Sequence, residues 1–190
     1  MVVESTEKEK QAVDDYEIIA AVLAGNKESF SYLVGKYLLR IKSLIYLVTN
    51  DSSIVDDLAQ DIFVKVYESL DKFQNRSSFY TWLYSIAINK CRDEIRKKKF
   101  RNFVSLDKIN NYEFTYMSDE TNNIENKILL KEALQKLKRD FREILILKEI
   151  NDFSYQEIAL ILDCEIGTVR SKLSRARVEL AKIIKKMSEV

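Results

Sequence analysis

The chain has 190 residues, of which 46% are hydrophobic, so it is long enough to form one medium-sized domain or two small ones with packed cores. It contains no histidine, which excludes Ser-His-Asp and Cys-His nucleophiles and most zinc sites. Since no other constellation of catalytic side chains is recognisable, we expect a protein that is not an enzyme and binds no cofactor or metal.

The composition and charge pattern favour an all-α protein with distinct charged surfaces. Proline is absent and only three glycines occur, which leaves few signals for β-hairpin turns. Although the net charge is only +1, basic residues concentrate in Asn89–Arg101 and Arg170–Lys186, and acidic residues in Ser53–Asp61. We therefore expect two basic surfaces and one acidic surface.

Cysteine usage and hydropathy indicate the compartment. Cys91 and Cys164 lie far apart without a CxxC partner, which argues against a disulfide framework or a zinc site. The N-terminal sequence is polar, and no apolar run approaches the ~18 residues that span a bilayer. From these features we expect a soluble cytoplasmic protein without direct membrane insertion.

The first predicted helices follow a polar tail, residues 1–13. Asp14–Leu23 has the apolar spacing of a short amphipathic helix. Gly25 and Asn26 break it, and Asn26 can cap the next helix. A long apolar stripe from Phe30 to Val48 then predicts a second helix.

A third helix is predicted to begin near Ser53, because Ser53 and Asp56 have the spacing of a capping box with Asp in place of the usual Glu. Its polar residues lie around one exposed side, near Phe63, and comprise Asp56, Asp57, Gln60 and Asp61. An acidic N-terminus complements the helix dipole, so a solvated face is an alternative to a binding surface here.

The polar connection Asp71–Ser78 leads into Phe79–Lys98, a predicted helix that begins with the aromatic sequence FYTWLY and ends with basic residues. Four aromatic residues in six positions cover every side of a helix, so some of them must belong to the core. We assign Trp82 and Leu83 to the core, and we predict a first domain over residues 14–99.

Residues 100–126 lack a sustained period and are rich in polar residues, so we interpret them as a flexible linker between two small helical domains. Periodicity returns from Ile128 and predicts a second domain over residues 127–190. Near its end, Ser154 and Glu157 have capping-box spacing, which predicts a helix from Tyr155. After Gly167, Thr168 is expected to cap the last helix.

The last helix has a predicted buried stripe that comprises Val169, Leu173, Ala176 and Leu180. The neighbouring face begins in the first turn, where a recognition helix meets base edges, and carries Arg170, Ser171, Ser174 and Arg175. Lys172 and Arg177 would contact phosphates or stay solvated. Periodicity alone leaves open whether this hairpin binds DNA or has a solvated basic face.

Residues 137–180, with the motifs REILIL, SYQEIA and GTVRSKLSRAR, resemble region 4 of sigma-70-type transcription initiation factors of the extracytoplasmic function (ECF) group. The resemblance implies that the last helix reads a promoter −35 element through Thr168, Arg170, Ser171, Ser174 and Arg175. One departure concerns the end of an earlier helix, because Lys138 and Arg139 stand where the family often has proline after the leucine.

Two further segments, SIVDDLAQDIFVKVYESLDKF and SSFYTWLYSIAINKCRDEIRKKK, resemble region 2 of the same group. This resemblance implies binding and melting of the −10 element, where stacking on aromatic residues and readout of a flipped base would hold the open strand. The implied base contacts are Gln74, Asn75, Arg76, Ser77, Phe79 and Asn89. The expected phosphate contacts are Lys90, Arg92, Arg96, Lys172 and Arg177.

The resemblance also implies partners besides promoter DNA. The acidic helix would dock on the clamp coiled coil of the β′ subunit of core RNA polymerase through Asp56, Asp57, Gln60, Asp61 and Phe63. The β flap and an anti-sigma factor are further implied partners. The alternative is a self-contained helix-turn-helix repressor or activator, which explains Ser154–Arg177 but leaves the aromatic and acidic helices without a role.

Overall fold

The computed structural model of the chain describes residues 15–101 and 124–189. Over these two ranges the chain is helical without β-strands, which confirms the predicted all-α class. The predicted tail, residues 1–13, and the central part of the predicted linker, residues 102–123, lie outside the described residues. None of the described helices is both long enough and apolar enough to span a lipid bilayer.

Two helical domains follow each other along the chain. The first contains α1 (residues 15–23), α2 (Phe30–Thr49), α3 (Val55–Glu68) and α4 (Phe79–Arg101). Short 3₁₀ turns flank these helices at Lys27–Ser29, Ser52–Ile54 and Leu70–Lys72. The second contains α5 (Ile124–Lys136), α6 (Arg139–Leu145) with a π-helical turn (Ile146–Ile150), α7 (Tyr155–Leu162) and α8 (Ile166–Ser188).

The core of the first domain lies between α2, α3 and α4. Leu33 and Ile41 of the predicted α2 stripe are fully enclosed, together with Ile62 of α3. Leu83 of α4 is also fully buried and Trp82 is half-buried against this core, as their assignment to the core predicts. Each large apolar side chain that is buried here stabilises the fold by about 1.5–3 kcal/mol.

A buried carboxylate ties α1 to α2. Asp15 is 3% exposed and accepts hydrogen bonds from Lys36 Nζ at 2.6 Å and from the Tyr37 hydroxyl. Burial and the bond to Asp15 raise the pKa of Tyr37 well above its ordinary value. The phenol therefore stays protonated and keeps donating to Asp15 throughout the physiological pH range.

The start of α7 follows the capping-box prediction. Ser154 Oγ accepts a hydrogen bond from the Glu157 amide at 3.2 Å, and Glu157 Oε2 accepts one from the Ser154 amide at 2.8 Å. The helix begins at Tyr155, as predicted. The Thr168 cap prediction is wrong, because α8 begins at Ile166 with Glu165 in the N-cap position.

Two other predicted caps also differ in the structure. Ser53 does not cap α3, because Asp51 accepts hydrogen bonds from both the amide and the hydroxyl of Ser53 at the start of a 3₁₀ turn. This turn delays α3 to Val55. Asn26 occupies the N-cap position of the turn before α2, but its side chain makes no capping hydrogen bond.

Helix α5 ends at Lys136 without a proline. The backbone of Lys138 is extended, with φ −57° and ψ 141°, and α6 begins at the next residue. Arg142 then donates to carbonyls at the end of α5, from Nε to Leu134 at 2.9 Å and from Nη2 to Gln135 at 2.7 Å. The guanidinium satisfies carbonyls that a helix end otherwise leaves unpaired.

The two domains pack against each other in what we refer to as the closed arrangement, which the sequence did not predict. Helix α4 lies against α7, and the C-terminal end of α2 meets the second domain. Arg142 Nη1 donates to the Val48 carbonyl and Gln135 Nε2 to the Leu47 carbonyl, each at 3.1 Å. Side chains of the second domain therefore also satisfy the end of α2.

Candidate nucleic-acid interface

Helix α8 separates apolar from basic residues as predicted. Val169, Leu173 and Ala176 are buried, and Leu180 is partly buried. The opposite face is accessible: Arg170, Ser174 and Arg175 are exposed, and Thr168 and Ser171 are half-buried beside them. Within the described part of the chain, no ion pair or hydrogen bond restrains the guanidinium groups of Arg170 and Arg175. These two donors are therefore available to an external ligand.

Two other basic residues of α8 are paired within the protein. Arg177 donates twice to Glu149 Oε1, at 2.7 and 3.0 Å, and this hydrogen bonding raises the pKa of the guanidinium. Lys172 Nζ lies 3.7 Å from Asp140 Oδ2. Exposed pairs of this kind contribute little to stability, about 0–1 kcal/mol, so a phosphate group can replace the carboxylate at small cost.

The polar loop before α4 projects from the first domain. Gln74, Asn75 and Arg76 are exposed, and Asn75 adopts a left-handed backbone conformation with φ 54°. Ser77 is half-buried, and its carbonyl accepts a 3.4 Å hydrogen bond from the Tyr16 hydroxyl of α1. The loop therefore presents amide and guanidinium groups to solvent from an anchored base.

Phe79 requires a correction to the predicted base contacts. Its side chain is 1% exposed, and its ring packs against Phe73 at 5.9 Å and Trp82 at 5.9 Å between centroids. At the first position of α4, the ring points into the core of the first domain. Phe79 supports the loop from below and is not accessible to a base.

The basic residues of α4 have different environments. Asn89 is exposed and Lys90 is half-buried, whereas Arg96 pairs with Asp93 of its own helix. Arg92 reaches across the domain boundary, where its Nη2 donates to Glu143 Oε2 at 2.7 Å. In the closed arrangement, the predicted phosphate contact of Arg92 is therefore occupied by a carboxylate.

The acidic helix α3 forms one wall of an apolar groove against α2. Phe63 is 5% exposed at its base, and Asp56 and Gln60 stand on the same wall. The remaining lining residues are Phe30, Val34, Leu38, Lys42, Val64 and Tyr67. Asp57 and Asp61 are exposed on the adjoining face of α3. The predicted interface residues thus combine an apolar groove with an acidic rim.

Sequence reasoning missed an aromatic cluster at the domain boundary. Tyr80 and Tyr84 of α4 contact Phe153, which precedes α7, with ring centroids 4.8 Å apart in both pairs. Burial raises the pKa of Tyr84 well above its ordinary value, so its hydroxyl stays protonated. The sequence FYTWLY signals aromatic contacts, but it does not indicate which rings meet the second domain.

Within residues 15–101 and 124–189, no group of three or more cysteine, aspartate or glutamate side chains is arranged to hold a metal ion. The chemistry that the described surfaces offer is hydrogen bonding, charge and aromatic stacking.

Comparison with known proteins assigns both domains. Family models for sigma-70 region 2 and sigma-70 region 4 match residues 33–101 and 127–180. The chain is 33% identical over 184 residues to the ECF RNA polymerase sigma-E factor of Escherichia coli K12, with 88% of this chain and 92% of that protein covered. It is also 33% identical over 180 residues to the RNA polymerase sigma-H factor of Pseudomonas aeruginosa, with 90% and 93% covered.

Two solved structures are similar in fold over most of the chain. The sigma factor RpoE in complex with the anti-sigma factor NepR, from Bartonella quintana, gives a TM-score of 0.68 at 27% identity, over 83% of this chain and 98% of that one. CnrH in complex with the cytosolic domain of CnrY gives a TM-score of 0.67 at 24% identity, over 89% and 96%, a similarity of fold.

Proposed function

The chain belongs to the ECF group of sigma-70-type factors, which direct promoter-specific transcription initiation and are not enzymes, and we propose that its two domains read two separate promoter elements. The observation that carries the proposal is the face of α8 on which Arg170 and Arg175 are exposed without a partner among the residues that the structure describes.

The second domain reads the −35 element through α8 in the major groove. Arg170 and Arg175 can each donate to guanine O6 and N7, while shorter hydroxyl groups can contact either bases or phosphates. These hydroxyl groups belong to Thr168, Ser171 and Ser174. Lys172 and Arg177 exchange their exposed carboxylate partners for phosphates, which fixes the register of the helix on the duplex.

The first domain captures the −10 element once its strands separate. A flipped base offers its Watson–Crick edge, which the exposed groups of Gln74, Asn75 and Arg76 suit, with Ser77 and Asn89 as further contacts. Lys90, Arg92 and Arg96 lie along α4 and contact the phosphates of the same strand. Arg92 becomes available only after it releases Glu143.

The groove between α2 and α3 docks on the clamp coiled coil of the β′ subunit. Its apolar floor suits apolar side chains of a partner helix, and the exposed carboxylates of Asp57 and Asp61 suit basic ones. Asp56, Gln60 and Phe63 line the groove itself. The β flap contacts the second domain of the bound factor.

An anti-sigma factor is a further proposed partner. The similar RpoE structure is a complex with the anti-sigma factor NepR, and the similar CnrH structure is a complex with the cytosolic domain of CnrY. A factor that acts with core polymerase on promoter DNA works in the cytoplasm, and we include that location in the proposal.

Run-off transcription with purified core polymerase and fragmented genomic DNA tests the proposal, with the transcript ends mapped. We expect initiation at a defined set of sites that share two upstream elements, and only when the chain is present. The control is core polymerase alone. A gel-shift assay without polymerase tests the alternative function. Tight sequence-specific DNA binding by the free chain would identify a self-contained regulator instead.

A further inference from the structure

Tyr80 lies in the aromatic cluster between the two domains. Its ring stacks near-parallel on Tyr37 of α2, with centroids 5.6 Å apart and an interplanar angle of 27°. It forms a second, closer stack with Phe153, at 4.8 Å and 19°. Phe153 is supplied by the second domain, whereas Tyr37 and Tyr84 belong to the first. One stacking partner of Tyr80 is therefore removable by domain separation.

The segment that carries Phe153 also makes a polar contact with the first domain. Asn151 Nδ2 donates to the Tyr84 hydroxyl at 2.9 Å, and the Tyr80 hydroxyl donates to that same oxygen at 3.0 Å. The segment thus presents a planar ring and a carboxamide to the two tyrosines. A nucleobase combines the same two features, since it has a π-face and polar edge groups.

The cationic surroundings of Tyr80 also suit a nucleic-acid strand. The guanidinium of Arg40 is exposed and lies 5.6 Å from the centre of the Tyr80 ring. Twelve residues further along α4, Arg92 forms an ion pair with Glu143. Separation of the domains would leave an aromatic face beside Arg40, with Arg92 about 18 Å further along the helix axis, and single-strand binding sites combine aromatic faces with cations along the strand.

Hydrogen bonding at this domain boundary is incomplete. Asn151 Oδ1 is buried without a hydrogen-bond partner in the described structure, and so is Glu143 Oε1 at the same boundary. An unsatisfied buried polar atom disfavours the state that buries it. Closure provides neither atom with a hydrogen bond, so these two atoms offset part of the stabilisation that the contacts between the domains supply.

We propose that Tyr80 is a stacking site for an unpaired base of the −10 strand, and that Phe153 occupies this site as long as the domains are closed. The inference rests on the proposed function, because it assigns one more residue to the promoter-melting surface. It also makes the second domain an internal competitor of the single strand. Opening of the closed arrangement and capture of a base thereby become one coupled step.

The test measures single-strand binding by the free, full-length chain. Because base stacking on an aromatic ring tolerates any sequence, fluorescein-labelled oligo(dT) serves as the probe, and fluorescence anisotropy gives its affinity. Phe153→Ala should raise the affinity by about 5-fold or more, the gain expected for one uncovered stacking site. Adding Tyr80→Leu should abolish the gain, whereas adding Tyr80→Phe, which keeps the ring, should preserve it.

Phe141→Ala is the matched control, because it removes a phenylalanine ring from the same domain that does not stack on Tyr80. Its affinity for oligo(dT) should equal that of the wild type. Circular dichroism checks that each variant keeps its helical content. If Phe153→Ala loses it, the double variant Arg92→Ala/Glu143→Ala opens the same boundary by a different contact without freeing a cation for the strand, and it should give the same Tyr80-dependent gain.

The proposal is overturned if neither opening variant binds oligo(dT) more tightly, or if the gain persists with Tyr80→Leu, because the uncovered site would then lie elsewhere. This measurement uses no polymerase. A failed run-off assay would therefore refute the proposed function without changing the oligo(dT) result, and an absent stacking gain would leave promoter-specific transcription standing.

Discussion

Replacement of Arg92 by alanine should strongly destabilise the protein, because Arg92 neutralises a fully buried carboxylate. Its Nη2 and Nε donate to Glu143 Oε2 at 2.7 and 3.1 Å, and Glu143 is 0% exposed. Removal of one partner of a buried ion pair costs about 3–5 kcal/mol. We take the lower end, about 3 kcal/mol, because Arg92 is 26% exposed and Arg139 Nε remains 3.5 Å from Glu143 Oε1.

Thermal unfolding, followed by far-ultraviolet circular dichroism, measures this loss. For a chain of this length, each kcal/mol lowers Tm by about 2–4 °C, so Arg92→Ala should lower it by about 6–12 °C. Arg96→Ala is the matched control on the same helix, since Arg96 pairs with Asp93 one turn away at the surface.

The control should lower Tm by no more than about 2 °C, because an exposed pair within one helix contributes about 0.3–0.5 kcal/mol. Equal shifts for the two variants would refute the reasoning. They would mean that the contact between Arg92 and Glu143 does not stabilise the closed arrangement, and that Glu143 finds compensation elsewhere.

Three further predictions concern DNA, polymerase and the cysteines. Arg175→Ala should weaken −35-dependent run-off transcription by about 5–150-fold while assembly with core polymerase persists; unchanged promoter selectivity would contradict the assignment, and Lys185→Ala is the control. Asp61→Lys should reduce co-purification with core polymerase by about tenfold or more, and Asp71→Lys, which is exposed in the 3₁₀ turn after α3 and not on the acidic face of that helix, should not. A maleimide at neutral pH should label Cys164 in the native protein and Cys91 only after denaturation, because burial and nearby Glu143 raise the pKa of the Cys91 thiol. Mass spectrometry locates the label, and a label on Cys91 of the native protein would contradict this prediction.

The helices and their inward faces are predictable from the sequence because both depend on local spacing. The stripe that begins at Phe30 and the stripe of Val169, Leu173 and Ala176 are buried where a 3.6-residue period places them. The capping box at Ser154 is equally local, since its two partners are three residues apart. The prediction fails at Ser53 and Thr168, where a 3₁₀ turn and an earlier helix start move the boundary.

The burial of individual residues in FYTWLY is not predictable in the same way. All sides of α4 carry an aromatic or apolar residue there, so the period does not select an outward face. The choice is made by tertiary neighbours: Phe79 packs on Phe73 within the first domain, while Tyr80 packs on Phe153 of the second. These partners are distant in sequence, and no spacing rule connects them.

The closed arrangement was not predicted, because the residues that form its polar contacts resemble ordinary surface residues in the sequence. Arg92 lies in a basic run that suits phosphate, and Glu143 lies in the REILIL motif among apolar residues. A glutamate at an apolar position was the available signal, since a carboxylate is almost never fully buried without a partner. The sequence still did not identify that partner, because any of 31 lysine and arginine residues qualifies.

On the proposed function, the contacts that hold the domains together use the groups that α4 needs for the promoter strand. Arg92 binds a carboxylate where it would bind a phosphate, and Tyr80 stacks on a ring where it would stack on a base. The strand can therefore replace each internal partner by a group of the same kind. A phosphate can replace the Glu143 carboxylate, and a base can replace the Phe153 ring. Water can solvate Arg92 in place of the Glu143 carboxylate, but it cannot stack on Tyr80 in place of the Phe153 ring. We therefore expect single-stranded DNA to separate the domains more readily than solvent alone does. The closed arrangement then acts as a competitor that the melted promoter displaces.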